Sequence, residues 1–145
     1  MKYLVTIIMF SFFYSCTNND IFNQILNDKD TTIEYEIPKI ISSEGNQVIA
    51  TYRDGIIINS TVYIFGETGK LIVEYVFKNN VIEVSETHYQ YKKQICDIWD
   101  SSDMEMISHN YYTINYGGDI LEGDSSNIDN IFLDFSETIP FTLRK

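Results

Sequence analysis

"QVIATYRDGIIINSTVYIF", residues 47–65, decides the fold. Two β-rich runs flank Asp54-Gly55. A two-residue turn between antiparallel strands needs positive φ at both central positions, which Gly adopts freely and Asp tolerates. The stretch therefore predicts a tight hairpin. Its second arm runs on through Val62, Tyr63, Ile64 and Phe65 into another turn, "GETGK", residues 66–70.

Working outward, the same two-residue period continues in both directions. Upstream, "TTIEYEI" (31–37) alternates Ile33, Tyr35 and Ile37 with Glu34 and Glu36, the pattern of a half-buried strand. Pro38 then marks an edge position or a strand end, because proline cannot donate to a ladder. Downstream come "LIVEYVF" (71–77), a break at Lys78-Asn79-Asn80, and "VIEVSETHYQY" (81–91). Further strand candidates are 94–99, 104–116, 131–135 and a short one at 141–143. The glycines fall between these runs, where positive φ is useful. No stretch after residue 30 shows a helical period with caps. The expected fold is all-β: a single antiparallel meander of about eight strands, centred on 46–116 and curled into a sandwich or open barrel.

The first residues follow a different rule. Met1 and Lys2 precede an apolar run, Tyr3 to Tyr14, interrupted only by Thr6 and Ser11 and followed by polar Thr17-Asn18-Asn19-Asp20. One positive charge, a short apolar core and a small residue before a cleavage point are the parts of a secretory signal. The run is too short for a membrane span, which needs roughly 20 apolar residues. Its end, Phe13-Tyr14-Ser15-Cys16, resembles the lipobox of bacterial lipoproteins, with Ser15 and Cys16 at the small and invariant positions.

That resemblance implies a diacylglyceryl group on the Cys16 thiol, cleavage after Ser15, and a further acyl chain on the freed amine. Two or more chains anchor stably where one holds only marginally. Residues 1–15 are then a lipoprotein signal peptide, 16–30 a lipid-anchored polar tether, and 31–145 a β-rich globular domain. The localisation implied is the cell envelope, held at a membrane through Cys16. Ordinary secretion would instead leave Cys16 to pair with Cys96, the other cysteine. With Cys16 acylated, Cys96 is unpaired and expected to be buried, as a small hydrophobe.

An apolar content of 44% is that of a globular chain, and the formal charge is −11. The charge is uneven. From Gln94 through Leu143 there is no Lys or Arg, while ten acids occur: Asp97, Asp100, Asp103, Glu105, Asp119, Glu122, Asp124, Asp129, Asp134 and Glu137. Such a field repels nucleic acid and anionic head groups and favours a basic protein or a divalent cation.

Catalytic signals are weak. The two histidines, His88 and His109, lack H-E-x-x-H spacing; His88 falls on the Ile82-Val84-Glu86 side of its strand. There is no G-x-S-x-G elbow. Cys96 precedes Asp97 in the acid-only half, a poor setting for a thiolate. The Asp-rich loops do not carry EF-hand spacing, and Asp and Ser also favour turns in their own right. No cofactor or metal is called for. Aromatic content is 14%, and Tyr89, Tyr91, Trp99, Tyr111, Tyr112 and Tyr116 cluster where the acids are. Tyrosine supplies rigid contact area at interfaces. The expected function is a non-catalytic binding module for a protein partner. Its candidate contact residues are Tyr89, Tyr91, Trp99, Asp97, Asp100, Asp103, Tyr111 and Tyr112. The alternatives are a small envelope hydrolase using a carboxylate pair, or an inhibitor of a basic cell-wall hydrolase.

Overall fold

The structure, a computed structural model, describes residues 30–98, 100–123 and 131–143. Seven strands follow one another: β1 (Thr31–Tyr35), β2 (Asn46–Arg53), β3 (Ile56–Phe65), β4 (Gly69–Phe77), β5 (Ile82–Tyr91), β6 (Met104–Ile114) and β7 (Ile120–Glu122). They pair antiparallel in chain order, each with its sequence neighbours, so the sheet is a continuous open meander. Among the described residues one α-helix, α1 (Phe132–Thr138), follows them.

The Asp54-Gly55 turn forms as expected, with φ of 53° and 80° at its two centres. Beyond it a register break between Thr51 and Tyr52 opposes Tyr52 to Ile57 and Ala50 to Ser60. Gly69, at the start of β4, is required for a different reason. A Cβ there would lie 2.1 Å from the Tyr89 carbonyl oxygen, so only glycine lets β4 and β5 approach.

The pleat sends alternate side chains to opposite faces. One face carries Val48, Ala50 and Tyr52 of β2, Val62 of β3, Val73 and Tyr75 of β4, Ile82 and Val84 of β5, and Tyr112 and Ile114 of β6, all buried. Against it pack α1 and its flanks. Phe132, Phe135 and Ile139 are buried, and the Phe132 and Phe135 rings sit 5.5 and 4.9 Å from the ring of Tyr75. The Tyr52 hydroxyl donates to the Pro140 carbonyl at 2.9 Å, tying β2 to the end of the helix.

Two of the expected strands are something else. The expected strand at 131–135 instead opens α1, because Ile131, Phe132, Phe135 and Ile139 recur at three- and four-residue spacing, which puts the apolar groups on one helical face. Residues 94–99 contain a 3₁₀ turn, Ile95–Asp97, in the connection from β5 to β6. Those two are lost and β7, which lies outside every expected strand, is gained, so the described residues hold seven strands. The expected short strand at 141–143 is a single bridge, Ile56 with Thr142, where Ile57 N–H donates to Phe141 O and Leu143 N–H donates to Gly55 O. It pairs with the end of β3 that extends past the last β4 partner, Asn59 with Val76.

Candidate functional site

The face of the sheet turned away from α1 is built by register. Phe65, Lys70, Tyr89 and Met106 form one cross-strand row over β3 to β6, Tyr63, Ile72, Thr87 and His109 the next, and Thr61, Glu74, Ser85 and Tyr111 a third. The Tyr63 and Phe65 rings stack nearly parallel, with centroids 6.2 Å apart. The Lys70 ammonium stands 5.3 Å over the Tyr89 ring. Thr87 Oγ1 and His109 Nδ1 are hydrogen-bonded at 2.9 Å. Tyr111 is 59% exposed, and Met106 and Ile107, beside a register break in the same strand, are each 57% exposed.

The predicted contact residues divide between several environments. Tyr89 lies on the outer face with Ser85 and Thr87, as strand alternation requires. Tyr91 is half-buried at the end of β5; burial, with Glu44 nearby, raises its phenol above the ordinary range. Tyr111 is on the outer face, but its neighbour Tyr112 points the other way and is buried in the core. Trp99 and Cys16 lie outside the described residues.

The three aspartates of the β5–β6 connection also differ. Asp97 is exposed. Asp100 begins a second 3₁₀ turn, Ser101–Asp103, and its Oδ1 accepts from Ser102 N–H at 2.7 Å and from the Ser102 hydroxyl. Those bonds lower the Asp100 pKa. Asp103 is buried and ion-paired with Lys93, while Lys92 N–H donates to the Asp103 carbonyl. The two lysines just ahead of the acid-only stretch thus fold back into it. Cys96, expected to be buried, is exposed, because the residues around it form a surface turn rather than a strand.

A second group of polar residues lies on the core face. Glu86 is fully buried. Its Oε2 accepts from the Tyr112 hydroxyl at 3.1 Å, and its Oε1 lies 3.0 Å from His88 Nε2. Burial pushes the nearby Tyr75 phenol well above its ordinary value, with Tyr112 and Glu86 adding to the shift. His88 is 30% exposed and reaches a cleft of about 290 Å³ that Ser42, Ser43, Ile64 and Leu71 also line. The signal for this cluster was present in sequence: Glu86 and His88 share the parity of Ile82 and Val84. Its partner Tyr112, expected at the surface as a contact residue, is buried instead, and alternation alone does not say which of Tyr111 and Tyr112 faces the core.

Glu86 and Asp103 are the two buried acids among the described residues. Glu86 stands opposite Asn110, seven residues along the chain from Asp103 and roughly 23 Å away at strand rise. A glycosidase pair spans roughly 5 to 9.5 Å, so these two acids do not form one. Among the described residues no group of three or more His, Cys, Asp and Glu converges as a metal site would need. No described helix is long and apolar enough to cross a membrane. No protein family, curated protein or solved structure matches the chain.

Proposed function

We propose that this chain is a lipid-anchored cell-envelope protein that acts as a non-catalytic binding module, docking a basic protein partner through its acidic, tyrosine-bearing half. The observation that carries the reading is the outer face of the sheet, where Tyr111, Met106 and Ile107 stand more than half exposed beside Tyr89. Exposed aromatic and methionine side chains are enriched at protein interfaces. The surrounding acids suit a partner of opposite charge, a cell-wall hydrolase held by an inhibitor being one such pair.

The electrostatic part of this reading is tested by salt. Affinity for the envelope partner should fall steeply as ionic strength rises, because exposed charges separated by more than a Debye length of about 8 Å are screened in physiological salt. Asp97→Asn and Asp100→Asn should each weaken binding by a few-fold, chiefly through slower association. Asp103→Asn is a poor probe, since it also breaks the Lys93 pair. Affinity unchanged by salt and by both substitutions would remove the acidic surface from the interface.

A further inference from the structure

We infer that the outer face seats an arginine side chain of the bound protein over Ser85, between the carboxyl group of Glu74 and the ring of Tyr111. This rests on the binding-module reading above and adds the chemistry of the contact. Glu74, Ser85 and Tyr111 are direct cross-strand neighbours on β4, β5 and β6. Two strand spacings separate the outer pair by roughly 10 Å at the backbone, and the short serine between them forms the floor of a notch. Among the described residues, neither Glu74 nor Tyr111 has a side-chain hydrogen bond, ion pair or ring contact.

The cations on β2 and β4 and just beyond β4 are already engaged. Lys70 stands over Tyr89, Lys78 pairs with Glu83, and Arg53 is bidentate on Asp30 at 2.9 Å. Lys70 over Tyr89 is the same contact made within the chain, a cation on a tyrosine of this face.

An acid on one wall and an aromatic ring on the other select for guanidinium over ammonium. Guanidinium is planar, stacks on a ring and presents a donor fork to a carboxylate, whereas ammonium is a compact and strongly hydrated point charge. A net charge of −11 opposes both a second copy and an anionic lipid surface as occupants.

The test titrates the full chain with two unstructured peptides of equal length and charge, one bearing arginines and the other lysines. The arginine peptide should bind about three- to five-fold tighter and shift the amide resonances of Ser85 and Tyr111. Tyr111→Ala should erase the preference, Tyr111→Phe should keep it, and Glu74→Gln should weaken both peptides. Equal binding of the two peptides, indifferent to Tyr111→Ala, would overturn the notch and leave the acidic-surface reading standing. No binding of either peptide at low salt would also overturn it. The reading beneath falls separately, if the partner's affinity proves independent of salt.

Discussion

A carboxyl group in the middle of an apolar sheet face must be compensated where it stands, and Glu86 is compensated by a tyrosine from the next strand and a histidine two residues on. Burying such a group without partners costs several kcal/mol. Removing one partner therefore costs more than the hydrogen bond itself contributes. Tyr112→Phe should destabilise the fold by about 1 to 3 kcal/mol. Replacing both ends, Glu86→Leu with Tyr112→Phe, should recover much of that loss, because no carboxyl group then remains to be satisfied. Denaturant midpoints of the two single variants and the double variant close the cycle. A double variant as unstable as the sum of the singles would show that the two residues do not act together. Strand parity placed Glu86 and His88 on one face from sequence alone. It could not choose the face of Tyr112, since Tyr111 and Tyr112 are identical neighbours on opposite sides of one strand.

At the scale of elements, strands β1 to β6 were legible, while the three-residue β7 and the helix were not, for a physical reason. Each strand carries its own alternation, and the Asp54-Gly55 turn carries its own φ requirement, so both can be read locally. Helix α1 has seven residues and no side-chain N-cap. A helix that short is not stable alone in water. Its stability comes from Phe132 and Phe135 meeting Phe141 nearby and, across more than fifty positions of sequence, Tyr75 and Phe77. Phe135→Ala should accordingly cost about 3 to 5 kcal/mol and release α1 from the sheet. Leu133→Ala, on the exposed side of the same helix, should cost less than 1 kcal/mol, close to the ordinary effect of a surface change. Thermal or urea unfolding of the pair measures the difference. Similar losses in both variants would mean that intrinsic helix propensity, rather than packing, holds the element.

The whole molecule has a direction. The chain enters the sheet at β1, an edge strand whose preceding residue, Asp30, is clamped by Arg53. Tyr111 lies five strands away on β6, roughly 24 Å across the sheet at normal strand spacing. On the proposed reading, the fourteen residues from Thr17 to Asp30 connect Cys16 to that edge and can extend by at most roughly 50 Å. The lipid would hold one edge of the domain near a bilayer while the opposite half faced a partner. The excess of acids, −11 over the full sequence, would keep the domain off anionic head groups, leaving the acyl chains to supply the attachment. The native chain should therefore partition into detergent, incorporate labelled fatty acid and have the mass of residues 16–145 plus acyl groups. Cys16→Ser should take up no label, keep the leader or lose it at another site, and in soluble form bind the partner as tightly as the native protein. Label retained by Cys16→Ser, or a native mass matching an unmodified chain, would end the anchored reading while leaving the sheet and its outer face as described. Loss of partner binding by a soluble, folded Cys16→Ser variant would instead mean that the membrane forms part of the binding site.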